Sequence, residues 1–161
     1  MTPRWGVEAQ PLQNGQSVRV TYRDEENVAL LVVAIQLFAD CPCDSHRESF
    51  LRAFQAVDEL GFEIVETNVP ADEDRWVTLG ADDHLSMLTA TFGGQRFMVA
   101  FPSREIGDRV RPESSTVGAI GVTEACRMVL RSDLAGIVVL AGTDDAAWGA
   151  VTRQAIAEML D

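Results

Sequence analysis

The pattern of apolar and polar residues in the second half of this chain predicts strands and helices that follow one another with short connections. Residues 85–92 and 95–101 are two candidate strands, and Gly93 and Gly94 separate them. Two glycines between candidate strands are typical of a two-residue hairpin turn, because glycine adopts the positive φ angles that these turns need. The pattern predicts an antiparallel hairpin.

After this hairpin, helical and strand patterns follow one another to the last residue. The predicted elements are a short helix over residues 102–109 capped by Ser103, a strand over 116–122, a helix capped by Thr123, a buried strand over 137–141, and a final helix capped by Asp144 or Asp145. The apolar stripe of the final helix comprises Trp148, Val151, Ala155 and Met159.

The clearest helix of the first half spans residues 45–60. Its apolar stripe at helical spacing comprises Phe50, Phe54, Val57 and Leu60. Ser45 and Glu48 have the spacing of a capping box, and Gly61 stands where a C-terminal cap belongs. Residues 62–67 alternate and predict a strand directly after this helix.

Residues 28–38 form a continuous apolar run that fits either a buried strand or a buried helix. Val32, Val33 and Ile35 are β-branched, which favours a strand. The run would then form a hairpin with residues 17–22, which alternate at period two. Residues 76–79 are a candidate edge strand.

Strands and helices in this order predict an α/β (α+β) fold with a mixed, partly antiparallel sheet and helices packed against it. Residues 1–15 have no sustained period and are interpreted as an N-terminal arm. A length of 161 residues fits one domain, here residues 16–161, that buries its core without disulfides or metals.

The charge and the basic residues exclude several function classes. A formal net charge of −12 disfavours binding to nucleic acid and to anionic membranes. The 13 basic residues are all arginine, so the sequence offers no Schiff-base lysine and no phosphate-loop lysine. Residues 1–15 lack a signal-peptide pattern, and the apolar runs are too short for a membrane span, so we expect a cytoplasmic protein.

The strongest local chemistry is the cluster of Cys41, Cys43 and His46 before the first-half helix. Two thiols beside a helix N-terminus suit a redox pair or part of a soft metal site. One residue separates the thiols, whereas thioredoxin-like motifs have two. A tetrahedral zinc site would need a fourth ligand such as His84 or Cys126. A structural turn that happens to carry thiols is the competing interpretation, and it is the favoured one.

The remaining candidate groups have structural interpretations. Cys126 lies on an apolar helical stripe and is expected in the core. His84 follows two aspartates, and a solvated acidic turn explains it better than an Asp-His catalytic pair does. Gly142 is explained by a turn, and Asp144 and Asp145 are explained by a helix cap.

A family resemblance follows from the layout of residues 45–161. A hairpin strand ends in Val99-Ala100-Phe101-Pro102-Ser103-Arg104-Glu105 and turns into a short helix; residues 119–130 and 136–160 complete the order. This arrangement resembles the N-terminal domain of the bacterial SseB (enhanced serine sensitivity) family, whose members are often linked by name to secretion systems. Pro102 replaces a common threonine, and Leu140-Ala141-Gly142 replaces an Asn-Pro-Gly-like turn.

The resemblance implies a non-catalytic accessory or protein-interaction domain without a cofactor. The candidate interaction residues are Phe101, Ser103 and Glu105. We expect a protein partner or a homo-oligomer, and no binding to nucleic acid or membranes. Two alternatives stay open: a small redox or metal-binding protein that uses Cys41, Cys43 and His46, and a small-molecule-binding domain with a pocket near residues 101–105 and 142–145.

Overall fold

A computed structural model describes residues 25–68, 81–110, 117–141 and 147–160. These residues form an α+β fold of helices packed on mixed and antiparallel strands, which confirms the predicted fold class. Predictions for residues 1–24, 69–80, 111–116 and 142–146 lie outside the described residues. They include the arm, the strands over 17–22 and 76–79, and the Asp144 or Asp145 cap.

The described elements begin with two helices, and seven strands and three further helices follow them. In chain order they are α1 (Glu25–Asp40), α2 (Asp44–Ala56), β1 (Glu59–Thr67), β2 (Leu85–Met87), β3 (Thr89–Phe92), β4 (Gln95–Ala100), α3 (Arg104–Val110), β5 (Val117–Gly121), α4 (Val122–Leu130), β6 (Gly136–Leu140), β7 (Trp148–Thr152) and α5 (Arg153–Leu160).

Within the described residues the strands form two sheets. The first has the order β2-β1-β5 and is antiparallel throughout. The second has the order β3-β4-β6-β7, in which β4 and β6 are parallel and the other pairs are antiparallel. The parallel pair is possible because α3, β5 and α4 supply the long crossover that such a pair requires.

The two sheets meet where β1 passes the end of β4. Gly61 and Phe101 exchange backbone hydrogen bonds of 3.0 and 2.8 Å. A Cβ at Gly61 would lie 2.5 Å from the carbonyl oxygen of Ser103, so glycine is required at this close approach. The prediction of Gly61 as a helix cap is therefore wrong, because the residue is paired inside a strand.

Residues 28–38 are helical, and the predicted strand and its hairpin are wrong. The run lies within the 16 residues of α1, which is longer than an ordinary strand. Leu31, Ile35 and Phe38 are spaced at about one helical turn and lie toward the core. The β-branched residues that favoured a strand are accommodated because burial on a helix outweighs their modest helix penalty.

The first-half helix is shorter than predicted, and its caps differ. It begins after Cys43, which is the N-cap and makes no side-chain cap hydrogen bond, so the Ser45–Glu48 capping box is wrong. It ends at Ala56, and Leu60 belongs to β1. The strand predicted over residues 62–67 is confirmed within β1.

The hairpin across Gly93 and Gly94 is confirmed. Both glycines have positive φ, 57° and 79°, and Phe92 pairs with Gln95. The first predicted strand is interrupted at Leu88, so that β2 joins β1 and only β3 joins β4.

Most of the predictions for residues 102–141 are confirmed. The Ser103 hydroxyl accepts a 3.2 Å hydrogen bond from the backbone N–H of Ile106, which confirms the capped helix α3. The strands β5 and β6 and the helix α4 are also confirmed. Thr123 is not the cap of α4, because the N-cap is Gly121, with no side-chain hydrogen bond.

The last predicted helix is a strand followed by a shorter helix. Residues 148–152 form β7, which pairs with β6 along its length, and α5 begins at Arg153. Gly149 faces Phe50 of α2 so closely that a Cβ would lie 2.8 Å from the ring. The Thr152 hydroxyl accepts from the N–H of Ala155 at 3.2 Å and caps α5.

Helices cover one face of the second sheet, and aromatic rings reach over the other. The main core cluster includes Ile35, Phe50, Phe54, Cys126, Ile137, Val151 and Ile156. On the opposite face Phe92 and Trp148 stack with ring centroids 5.2 Å apart. Phe92 belongs to β3 and Trp148 to β7, which are the outer strands of this sheet.

Candidate functional site

The helices α1 and α2 form an antiparallel helical hairpin. The side-chain amide of Asn27, in the first turn of α1, donates to the carbonyl of Ala56 at the end of α2, at 3.2 Å. At the other end the rings of Phe38 and Phe50 stack at 5.7 Å. Residues 41–43 connect the helices.

The outer side of α1 exposes a row of large apolar side chains. Leu30 is 61% exposed, Val33 51% and Leu37 46%, and their spacing places them on one face. Leu31 and Ile35 on the opposite face are fully buried. A soluble helix ordinarily turns polar residues outward, so this exposed row is unusual.

The exposed row forms one wall of a groove between α1 and α2. The groove has a volume of about 420 Å³. Its lining comprises Leu30, Val33, Ala34, Leu37, Ser49, Arg52, Ala53 and Ala56. On α2 most of the lining side chains are small, so another chain could approach the backbone of this helix closely. Arg52 adds a positive charge to the lining. We call this feature the α1–α2 groove.

The α1–α2 groove was not predicted from the sequence, because the β-branched residues of the run 28–38 favoured a strand. A signal was present: in helical geometry the run is apolar on nearly every side. Such a helix is normally buried all round, and here α2 and the sheet cover only part of it.

The second candidate feature is the connection between the two helices, where Cys41, Cys43 and His46 converge. One ligand atom from each residue lies within 4.8 Å of the others. Backbone hydrogen bonds fix the connection: the N–H of Cys41 donates to Leu37 at 3.0 Å, that of Cys43 to Cys41 at 2.8 Å, and that of Arg47 to Cys43 at 2.9 Å. We call these three side chains the thiol–imidazole cluster.

The imidazole of His46 is oriented by the backbone. Its Nδ1 lies 2.8 Å from the carbonyl oxygen of Cys41. A carbonyl can only accept, so Nδ1 carries the proton and Nε2 retains the free lone pair of the neutral ring. This tautomer leaves Nε2 available as a base or a ligand.

The two thiols of the cluster differ in acidity. The Ser45 hydroxyl, 3.5 Å from the sulfur, and the backbone N–H of His46 lower the pKa of Cys43 to about 7. The hydrogen bond to Cys43 and the charge of that residue raise the pKa of Cys41. Both side chains are exposed, so Cys43 is the more nucleophilic thiol at neutral pH.

Cys126 is separate from this cluster. It is buried on α4, as predicted, and burial raises the pKa of its thiol. It also forms part of the wall of a cavity of about 240 Å³ between α2, α4 and α5. Phe54 and Met159 line the same cavity.

His84 lies in an exposed segment next to β2, which agrees with the predicted solvated turn. Its Nε2 is 3.6 Å from the carboxylate of Glu66, and both side chains are largely exposed. Its backbone N–H donates to the side chain of Asn68 at 2.8 Å.

The candidate interaction residues lie around the start of α3. Phe101 is fully buried, Ser103 caps the helix, and Glu105 is exposed. Their role in binding stays a prediction, as does a pocket near residues 101–105 and 142–145, because the second of these segments lies outside the described residues.

Comparisons with known proteins give no relative of this chain. No family model, no curated protein and no solved structure matches it significantly. Within the described residues, no helix is both long enough and apolar enough to cross a membrane.

Proposed function

We propose that this chain is a cytoplasmic, non-catalytic protein-interaction module of SseB-like type that docks partners in the α1–α2 groove. The observation that carries the proposal is the row of Leu30, Val33 and Leu37, exposed on one face of a helix whose other face is buried. Contiguous exposed apolar surfaces in soluble proteins mark sites of protein interaction.

The shape of the α1–α2 groove fits an α-helix. Its anchors recur at i, i+3 and i+7 along α1, which is the spacing that helix-in-groove recognition uses. On α2, Ser49, Ala53 and Ala56 recur at i, i+4 and i+7, so a third helix can approach the backbone there.

We commit to a second copy of α1 as the occupant. An antiparallel pair of α1 helices related by a two-fold axis near Val33 and Ala34 sets Leu30 of each copy opposite Leu37 of the other. Each apolar row then covers its counterpart, which is the self-complementarity that a two-fold interface needs. The two helical hairpins together would form a four-helix arrangement.

The charges of the helical hairpin are compatible with this pairing. Glu26 and Asp40 lie near the two ends of α1, and Arg52 is the charged residue of the groove lining. Pairing of the two apolar rows therefore sets leucines against an apolar wall and brings neither of these carboxylates to the centre of the contact.

The test is the oligomeric state of two matched variants. Val33→Glu places a charge at the centre of the exposed row, and Gln36→Glu places the same charge on α1 outside the groove lining. Both positions are exposed, so we expect both variants to fold. Light scattering coupled to size exclusion should give a dimer for the wild type and Gln36→Glu, and a monomer for Val33→Glu.

Two outcomes would contradict the proposal. A wild-type protein that stays monomeric over a wide concentration range excludes the second copy, even if an amphipathic peptide then binds the groove. A Val33→Glu variant that dimerises as well as Gln36→Glu places the interface elsewhere.

A further inference from the structure

We propose that Cys41, Cys43 and His46 bind one Zn²⁺ ion. The inference is independent of the α1–α2 groove and concerns the connection between α1 and α2. It starts from the convergence of two sulfur atoms and one imidazole nitrogen within 4.8 Å.

The donor set suits zinc. Zn²⁺ is bound in proteins by cysteine sulfur and histidine nitrogen, whereas Mg²⁺ and Ca²⁺ take oxygen ligands. Zn–S bonds of about 2.3 Å in a tetrahedron put two sulfur atoms about 3.7 Å apart. The candidate ligand atoms lie within 4.8 Å of one another, which is about 1 Å more than this sulfur–sulfur distance. Small rotations of the exposed cysteine side chains close such a difference.

The backbone around the cluster is fixed before any ion binds. Cys41 is hydrogen-bonded to the last turn of α1, and Cys43 is the N-cap of α2. His46 lies in the first turn of α2. The three ligands therefore come from the junction of two packed helices, where few degrees of freedom remain to be lost on binding.

The histidine already makes the contact that zinc-bound histidines make. A ligating imidazole ordinarily donates its other ring N–H to a carboxylate, a carbonyl or water, which fixes the tautomer. In this protein Nδ1 donates to the carbonyl of Cys41 at 2.8 Å, and Nε2 is the nitrogen with a free lone pair.

Three protein ligands leave the fourth zinc position open. Sites with three protein ligands hold water or another ligand in the fourth position, and the exposure of Cys41 and Cys43 gives solvent access to this one. Cys41 follows the last residue of α1, and Cys43 and His46 lie at the start of α2, so a bound ion would also tie the two helices together and stabilise the folded chain.

The experiment is a metal titration of the fully reduced protein after removal of any affinity tag. Zn²⁺ is added in competition with a chromogenic chelator, and Co²⁺ is used as a spectroscopic probe. We expect one ion per chain, a sulfur-to-cobalt charge-transfer band, and a melting temperature that rises with Zn²⁺ concentration.

Ligand variants and a matched control locate the site. Cys43→Ser and His46→Asn should each weaken zinc binding by about 100-fold or more and remove the melting-temperature rise. Glu48→Gln, which neutralises an exposed acidic side chain of α2 outside the cluster, should bind as the wild type does. Val33→Glu should also retain the site, so that failure of the groove proposal does not affect this one.

Three results would overturn the inference. They are no zinc binding by the reduced protein, equal binding after the thiols are alkylated, and binding of Cu⁺ with exclusion of Zn²⁺.

Discussion

Cys43 and Cys41 are separated by one residue, yet their thiols are expected to react at different pH. Hydrogen bonds from Ser45 and from the backbone of His46 lower the pKa of Cys43 to about 7, while its neighbour raises the pKa of Cys41. The thiolate is the reactive form, so metal-free Cys43 should be alkylated with a rate that rises through pH 7. Mass spectrometry of iodoacetamide-treated protein, quenched at intervals, measures the rate at each cysteine.

The Ser45→Ala variant is the control for the cause of this acidity. The Ser45 hydrogen bond is the largest contribution that lowers the pKa of Cys43, so its loss should move the midpoint of alkylation upward from about 7. Cys126, which is buried, should react last in both proteins. Equal rates at Cys41 and Cys43 across the pH range would contradict this prediction.

The guanidinium of Arg153 holds the end of α4 and should be important for stability. Its nitrogens donate four hydrogen bonds of 2.6 to 3.1 Å to backbone carbonyls, those of Val129, Leu130, Ser132 and Leu134. Hydrogen bonds to a charged group at a helix C-terminus are strong. Their loss removes this donor from the carbonyls of Leu130, Ser132 and Leu134, whereas the carbonyl of Val129 still accepts from Ser132. Arg153→Ala should lower the free energy of unfolding by about 2–4 kcal/mol in urea denaturation.

An exposed arginine provides the comparison. Arg96 lies 2.7 Å from Asp133, with both side chains more than half exposed, and such pairs contribute about 1 kcal/mol or less. Arg96→Ala should therefore destabilise the protein less than Arg153→Ala, and the reverse order would contradict the role of Arg153. The cap at Ser103 could be predicted from the sequence because its partner is three residues away. The role of Arg153 could not, because its acceptors lie 19 to 24 residues earlier.

The β3–β4 hairpin depends on two glycines that both have positive φ. Gly93 has φ of 57° and Gly94 of 79°, and a Cβ at either would meet nothing within 4 Å. Only the backbone conformation restricts substitution, and asparagine adopts such angles far more readily than a β-branched residue. Gly93→Asn should be nearly neutral, whereas Gly94→Val should cost about 1–3 kcal/mol in thermal or urea unfolding. Equal stability of the two variants would refute this assignment of the turn.

The elements that were predicted correctly have local signals. The hairpin glycines, the alternation in β1 and the short apolar runs of β5 and β6 each specify their structure within a few residues. Residues 28–38 lack such a signal because every position is apolar or nearly so, and periodicity cannot then separate a strand from a helix.

The residues of β7 were misassigned for a different reason. Trp148, Val151 and Ala155 satisfy helical spacing, and Ala155 does lie on a helix. The strand instead forms because β6 presents an edge to residues 148–152, with which it pairs in register. Gly149 also permits Phe50 of α2 to lie against the strand. Neither contact is visible in a local pattern, since both join distant parts of the chain.

At the scale of the molecule, composition and element order were enough to predict the α+β class. They did not predict that the strands divide into two sheets joined at Gly61 and Phe101, because this junction depends on the missing Cβ of one residue beside the backbone of Ser103. The α1–α2 groove was missed for the same kind of reason, because it forms only where two distinct helices pack side by side. One of them, α1, was predicted as a strand, and the other, α2, is shorter than predicted.

The net charge of the molecule gives a prediction about its proposed self-association. Each copy carries −12, so two copies repel one another while their apolar rows attract. Salt screens repulsion between exposed charges over a Debye length of about 8 Å at physiological ionic strength and about 3 Å at 1 M. Burial of apolar surface is not weakened by this screening, so added salt should strengthen the dimer.

Sedimentation equilibrium at low and high sodium chloride measures this effect. We expect the dissociation constant of the wild type and of Gln36→Glu to fall by roughly 10-fold or more between about 0.05 M and 0.5 M salt. Val33→Glu should stay monomeric throughout, because the charge it adds lies inside the apolar contact, where desolvation opposes pairing whatever the ionic strength. A dimer that dissociates as salt is added would mean that ion pairs such as those of Arg52 hold the copies together, and that the row of Leu30, Val33 and Leu37 is not the main contact.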